Sequence, residues 1–84
     1  MIRIKALFKT TKVIEFHGIK LTVPNWVTYL ACDKNGTLMG YEGGPIHCNV
    51  EYGRWVPDID VGYYEKIAKV DLEGLDWTRT LIKV

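Results

Sequence analysis

Serine and glutamine are absent from the 84-residue chain, and cysteine occurs only twice, as Cys32 and Cys48. Without serine, the nucleophile of the common hydrolase triads is missing. Both cysteines lie in apolar rows, where a thiol is buried and inert rather than partly exposed and activated. Small secreted proteins held by disulfides usually have about four or more cysteines. We therefore expect two reduced core thiols, and we predict that the chain is not an enzyme.

Long apolar runs are also lacking. No stretch approaches the roughly 20 apolar residues that cross a bilayer, and lysines interrupt the N-terminal segment where a signal peptide would be continuously apolar. The net charge is only +1, from 11 basic and 10 acidic residues, so neither an acidic DNA mimic nor a basic nucleic-acid coat protein is indicated. A chain of this length holds one hydrophobic core. We expect a single cytoplasmic domain over residues 1–84 that does not contact membranes.

Metal ligands of the zinc type are few, namely His17, Cys32, His47 and Cys48. A zinc site needs about four such ligands within bonding distance. Adjacent residues of a strand point to opposite faces, so His47 and Cys48 cannot both reach one metal ion if their segment is extended. We therefore expect neither a metal nor a cofactor.

Asp58 and Asp60 form the one closely spaced pair of aspartates. On one side of an extended segment, they could bind a divalent cation and support a metal-dependent hydrolase. An aspartate beside Pro57 is also ordinary turn chemistry, and no third ligand has a recognisable spacing. We favour a solvated loop, and the hydrolase is the weaker alternative.

Residues 2–9 alternate between apolar and mostly basic side chains, a pattern typical of a half-exposed strand. The basic row consists of Arg3, Lys5 and Lys9. Lysines on an edge strand prevent pairing with other edges, and the same row could contact an acidic protein surface or a phosphate backbone. Both interpretations stay open.

A first hairpin is predicted where the apolar segments 12–16 and 19–23 flank His17 and Gly18. Glycine, and to a lesser degree histidine, tolerates the positive φ of a two-residue hairpin turn. The expected pairs are Phe16 with Ile19 and Ile14 with Leu21.

A second hairpin joins residues 26–32 to 37–42 through residues 33–36, the strongest turn signal in the chain. Both of its faces are apolar, as in a strand pair that is covered twice. The C-terminal segment, a partner chain or a ligand must then cover the second face, so a homo-oligomer formed through residues 26–42 is possible. The expected pairs are Ala31 with Met39 and Tyr29 with Tyr41.

The remaining segments complete a mainly β prediction. Residues 46–52 alternate and predict a strand, whereas residues 53–62 hold Pro57 and acids and predict an irregular connection. Residues 63–71 fit both a helical stripe, formed by Tyr64, Ile67 and Ala68, and a strand row, formed by Tyr64, Lys66, Ala68 and Val70, and we favour the strand. Asp76 can cap a short helical turn. We predict a mainly β fold, at the margin of α+β: an antiparallel sheet of about five to six strands with a short C-terminal helical turn.

Aromatic residues and one arginine are concentrated between positions 41 and 64. Tyr, Trp and Arg dominate binding hot spots and stack on nucleobases, so this region is the predicted recognition surface. Together with the basic row, the candidate binding residues are Tyr41, Tyr52, Arg54, Trp55, Tyr63 and Tyr64.

Several short signatures follow the segment from Ile19 to Pro24: Trp26, Tyr29-Leu30-Ala31, Asp33, Asn35-Gly36, Tyr41-Glu42, Pro45, Trp55, and Asp76-Trp77 before Leu81. On these residues, roughly positions 13–84 resemble small accessory proteins of unknown function encoded by tailed bacteriophages. The resemblance brings no catalytic residues with it.

What the resemblance implies is a non-enzymatic binder that disables host machinery or bacterial immunity. The expected function is therefore inhibition of a host protein by occlusion in the host cytoplasm, with a component of antiviral defence such as a CRISPR effector as the target. The alternative is an oligomeric sponge, in which two or more copies enclose a cyclic nucleotide or a similar signalling molecule.

Overall fold

The structure, a computed structural model, describes residues 1–3, 10–58 and 62–84. These residues form eight strands and one 3₁₀ helix. The elements are β1 (Thr11–Phe16), β2 (Ile19–Pro24), β3 (Tyr29–Cys32), β4 (Thr37–Tyr41), β5 (Ile46–Asn49), β6 (Arg54–Pro57), β7 (Tyr64–Lys69), the 3₁₀ helix (Trp77–Arg79) and β8 (Ile82–Lys83). The predicted mainly β fold with a short C-terminal helical turn is confirmed.

The strands form three antiparallel sheets. A four-stranded sheet has the order β7-β4-β3-β8, while the pairs β1-β2 and β5-β6 are separate two-stranded hairpins. The strand predicted for residues 2–9 falls largely on residues 4–9, which lie outside the described residues.

Both predicted hairpins form in the expected register. In the first, His17 and Gly18 take φ values of 45° and 88° at the turn, which is the left-handed region that a primed turn requires. In the second, the turn closes with the N–H of Asp33 donating to the carbonyl of Thr37 (2.9 Å). The observed pairs include Phe16 with Ile19, Ile14 with Leu21, Ala31 with Met39, and Tyr29 with Tyr41.

Each apolar face of the β3-β4 hairpin packs against other parts of the same chain. The β1-β2 hairpin covers one face, and the β5-β6 hairpin together with the 3₁₀ helix region covers the other. The first core contains Phe16, Val23, Val27, Leu30, Cys32 and Leu38. The second contains Ala31, Tyr41, Ile46 and Trp55, with Trp77 and Leu81 packed against them. Much of the second apolar face, which favours self-association through residues 26–42, is therefore covered within the chain, and self-association itself stays a prediction.

Strand β6 (Arg54–Pro57) corrects the sequence pattern, which predicts an irregular connection over residues 53–62. Residues 54–57 instead pair with residues 46–49, and Cys48 lies opposite Trp55. The predicted strand over 46–52 correspondingly ends at Asn49, whose side-chain oxygen accepts the N–H of Tyr52 (3.1 Å) in the connecting loop. A Pro at the end of β6 is compatible with a strand that pairs on only one side.

Strand β7 is present, as favoured, but its alternation changes at Ile67. Lys66 lies opposite Met39 and Ala68 lies opposite Leu38, so two steps along β7 match one step along β4. This extra residue is a β-bulge, which reverses the side to which the following residues point. The expected row Tyr64, Lys66, Ala68 and Val70 is therefore split: Tyr64 and Lys66 belong to one face, whereas Ala68 packs into the first core on the other.

A side-chain network closes the end of β3 that β8 does not reach. The pairing of β8 with β3 covers only Tyr29 and Leu30. Beyond it, the backbone N–H of Cys32 donates to the Thr80 hydroxyl (2.8 Å), and the Cys32 carbonyl accepts from that hydroxyl (3.2 Å) and from Trp55 Nε1 (3.1 Å). Thr80 is completely buried. A buried backbone group without a hydrogen-bond partner lowers the stability of the fold. The network therefore supplies at Cys32 the hydrogen bonds that β8, which ends its pairing at Leu30, does not.

The Thr80 hydroxyl provides a direct test of that role. We expect Thr80→Val, which keeps the shape of the side chain but removes the hydroxyl, to lower the free energy of unfolding by about 1–3 kcal/mol, because it leaves the buried Cys32 N–H without a partner. Urea denaturation followed by circular dichroism measures the difference. The control is Thr22→Val on the exposed side of β2, which should change stability by less than about 0.5 kcal/mol. Equal effects of the two substitutions would contradict the assignment.

Candidate recognition groove

An open groove lies between the four-stranded sheet and the β5-β6 hairpin, with a volume of about 780 Å³. Its lining comes from β4 and β7, which we call the floor, from β6 and the loop before it, which we call the wall, and from the turn after β3, which we call the end. We call it the aromatic groove. Its lining comprises Asp33, Lys34, Asn35, Thr37, Met39, Tyr41, Tyr52, Gly53, Arg54, Trp55, Pro57, Tyr64 and Lys66.

Two tyrosines on neighbouring strands form the aromatic part of the floor. Tyr41 and Tyr64 face each other across β4 and β7, with ring centroids 6.0 Å apart and planes at 28°. Tyr41 is only 1% exposed, and burial raises the pKa of its hydroxyl. Tyr64 is 50% exposed. The buried ring therefore supports the exposed one, which remains available to a ligand.

Trp55 fixes the wall of the groove. Its backbone N–H donates to Asp33 Oδ1 (2.8 Å), and its indole Nε1 donates to the carbonyls of Cys32 (3.1 Å) and Trp77 (3.2 Å). A further bond, from the N–H of Lys34 to the carbonyl of Gly53 (2.9 Å), joins the turn after β3 to the start of β6. At 8% exposure, Trp55 holds the hairpin in place more than it offers a surface.

The groove has a positive rim. Lys34, Arg54 and Lys66 are exposed and line it, whereas Asp33 is its one acidic residue. Burial raises the pKa of Asp33, an effect partly offset by the bond from the Trp55 N–H and by the charge of Arg54. The lining therefore combines three cations with four aromatic rings and one partly buried carboxylate.

The structure brings together most of the candidate binding residues. Tyr41, Tyr52, Arg54, Trp55 and Tyr64 all line the aromatic groove. Tyr63 does not: it packs edge-to-face on Trp26 with centroids 4.8 Å apart, and its hydroxyl donates to Glu65 Oε2 (3.0 Å), which raises the pKa of Tyr63. Of the basic row, Arg3 is exposed, and Lys5 and Lys9 lie outside the described residues.

Sequence reasoning missed two of the groove cations, Lys34 and Lys66. The sequence pattern predicts only a turn at Lys34, and it puts Lys66 in one row with Ala68. The pairing of β7 with β4 and the bulge at Ile67 put Lys66 on the groove face. No local sequence signal reports that bulge.

Candidate chemistry elsewhere is limited among the described residues. Burial raises the pKa of the Cys32 thiol, and burial likewise raises that of Cys48, which disfavours the reactive thiolate of both. Within residues 1–3, 10–58 and 62–84, no group of three His, Cys, Asp or Glu side chains is placed to hold a metal ion. Asp60, the second aspartate of the candidate pair, lies outside this part of the chain. No helix among the described residues has the length and apolar character to cross a membrane.

Comparison of the chain with protein-family models, with curated proteins and with solved structures finds no match.

The two aromatic residues of β6 and its preceding loop should respond differently to truncation. We expect Trp55→Ala to lower the free energy of unfolding by about 3–5 kcal/mol, because a buried indole and its hydrogen bonds are lost. Tyr52→Ala should cost less than about 0.5 kcal/mol, since Tyr52 is 72% exposed. Thermal and urea denaturation measure both. A destabilisation by Tyr52→Ala as large as that by Trp55→Ala would refute this division of roles.

Asp33 and Asp76 should contribute to the pH dependence of stability with opposite signs. The pKa of Asp33 is raised above its ordinary value of 3.8, so the folded state keeps this proton to higher pH than the unfolded state does, and stability is lost as pH rises through the raised pKa. The pKa of Asp76 is lowered, first by the Thr78 hydroxyl and then by the Thr78 N–H. Its contribution is therefore present above pH 3.8 and lost as pH falls through the lowered pKa.

The measurement compares urea denaturation of Asp33→Asn and Asp76→Asn with that of the unsubstituted protein between about pH 2 and 7. Relative to Asp33→Asn, the unsubstituted protein should lose stability as pH rises. Relative to Asp76→Asn, it should gain stability over the acidic part of the range. Trends of the same sign for both variants would disprove the expectation.

Proposed function

We propose that the chain is a non-catalytic binding protein that inhibits a host factor by occlusion, with the aromatic groove as its contact surface. One observation carries the proposal. Three exposed residues of the types that dominate binding hot spots, Tyr52, Arg54 and Tyr64, line one open groove. The buried rings of Tyr41 and Trp55 support them from within. Aromatic anchors supported by a rigid scaffold are what a protein interface needs at its centre.

The identity of the target follows only from the resemblance to phage accessory proteins. On that basis, we propose a component of antiviral defence in the host cytoplasm, such as a CRISPR effector. We do not extend the proposal to an oligomeric nucleotide sponge, because the β5-β6 hairpin and the 3₁₀ helix region already cover much of the second apolar face of β3-β4, and this removes one reason for a second copy.

The test is capture of a partner by the immobilised protein from bacterial lysate, read by mass spectrometry. We expect Tyr52→Ala combined with Tyr64→Ala to reduce recovery of the specific partner at least about tenfold, as loss of hot-spot anchors does. Tyr63→Ala is a matched control, because Tyr63 is a neighbouring tyrosine of similar exposure, 55% against 50% for Tyr64, yet does not line the groove. Circular dichroism confirms that each variant is folded.

Two outcomes would reject the proposal. One is equal recovery with the groove variant and with Tyr63→Ala, which would remove the groove from the interaction. The other is multiple turnover of a substrate by the purified protein, abolished by changing one carboxylate or thiol, which would show that the chain has a reaction centre.

A further inference from the structure

The three cations of the aromatic groove come from three different elements: Lys34 from the turn after β3, Arg54 from β6 and Lys66 from β7. Among the residues that the structure describes, the one ion pair within 4 Å is formed elsewhere, by Arg79 and Asp76 (3.9 Å). None of the three groove cations forms an ion pair within 4 Å with a described carboxylate, and Asp33, on whose pKa the charge of Arg54 acts, is the one acid of the lining. Three cations against one partly buried carboxylate around a concave surface create a local field that favours an anionic ligand.

The backbone of the groove offers little to a compact anion such as a phosphate, which is commonly held by several free N–H groups at a helix N-terminus or in a loop. Here five of the N–H groups that line the groove have internal acceptors. The donor and acceptor pairs are Lys34 to Gly53 O, Thr37 to Asn35 Oδ1, Tyr52 to Asn49 Oδ1, Gly53 to Val50 O, and Trp55 to Asp33 Oδ1. An anion in this groove is therefore held by side chains on separate elements.

Separate cations fit separate carboxylates better than one concentrated charge. The exposed rings of Tyr52 and Tyr64 lie along the same lining and suit an apolar or aromatic side chain between those carboxylates. The whole chain has a net charge of only +1, so the attraction is local to the groove and not a general affinity for polyanions.

We infer that the aromatic groove docks an acidic segment of the partner protein, whose carboxylates pair with Lys34, Arg54 and Lys66 while one of its apolar side chains contacts Tyr52 and Tyr64. This inference rests on the proposed function, and it names the chemistry of the partner. Complementary charge at such a surface speeds association and suppresses wrong partners.

The experiment uses a fluorescein-labelled peptide of twelve residues, composed of Asp and Glu around one central Tyr, with binding measured by fluorescence anisotropy. A matched peptide replaces every Asp by Asn and every Glu by Gln. We expect the acidic peptide to bind at least about tenfold more tightly than its amide counterpart, with an affinity that falls as salt rises. Equal affinities of the two peptides would overturn the inference.

Charge reversal locates the binding. Arg54→Glu combined with Lys66→Glu should lower the affinity for the acidic peptide at least about tenfold. Lys20→Glu combined with Lys83→Glu should lower that affinity less than about threefold. Lys20 and Lys83 are exposed and do not line the groove, and the two double variants change the net charge equally. If the double variant Arg54→Glu, Lys66→Glu does not fold, the double variant Arg54→Gln, Lys66→Gln is used in its place. Equal losses for the groove and control variants would show non-specific attraction and overturn the inference.

Two further outcomes separate this inference from its alternatives. Displacement of the labelled peptide by ADP at a lower concentration than by unlabelled acidic peptide would identify the groove as a nucleotide site and overturn the inference. A partner that depends on Tyr52 and Tyr64, yet is not displaced by the acidic peptide, would overturn it while leaving the proposed function intact. If capture of the partner from lysate does not depend on Tyr52 and Tyr64, the proposed function is rejected, whatever the result for the peptide.

Discussion

The fold depends on satisfying the backbone of β3, a strand that is buried on both faces. Leu30 and Cys32 face the first core and Ala31 faces the second, so water cannot reach their peptide groups, and each needs a partner within the protein. Strand β4 supplies one side, but β8 supplies the other only at Tyr29 and Leu30. The Thr80 hydroxyl and the Trp55 indole complete the pairing at Cys32. A polar network thus lets a small chain bury one hairpin between two layers.

The same network determines where the groove lies. Because Trp55 is tied to β3 and to the residue that begins the 3₁₀ helix, the β5-β6 hairpin packs over β3 and leaves part of β4 and β7 open beside it. Tyr41 is covered at this boundary, and Tyr64 rests against it. The bulge at Ile67 then turns Lys66 toward the open side and Ala68 toward the first core. Without that extra residue, Lys66 and Ala68 would share a face, and charge and core packing would conflict.

The sequence predicts the parts of this arrangement that depend on neighbours in the chain. Turns at His17-Gly18 and at residues 33–36 determine two hairpins and their registers, because a short loop permits few pairings. The sequence does not predict β6, because Gly53 and Pro57 at its ends are residue types that are common in loops. The strand is held in place by the indole of Trp55, which donates to the carbonyl of Cys32, far away in the chain. The candidate aromatics were found by composition, but their separation into buried and exposed rings depends on tertiary packing.

The division of the groove residues into buried and exposed ones determines which of them can be substituted without loss of the fold. Tyr41 and Trp55 hold the groove from within, and their burial makes substitution costly to the fold. Tyr52, Tyr64 and the three rim cations contact solvent, and a surface charge without a close partner adds little to stability. The residues that form the groove are therefore largely distinct from those that would meet a partner. A scaffold built in this way can exchange the exposed set, and with it the choice of partner, while the Thr80 and Trp55 network keeps the groove in the same place.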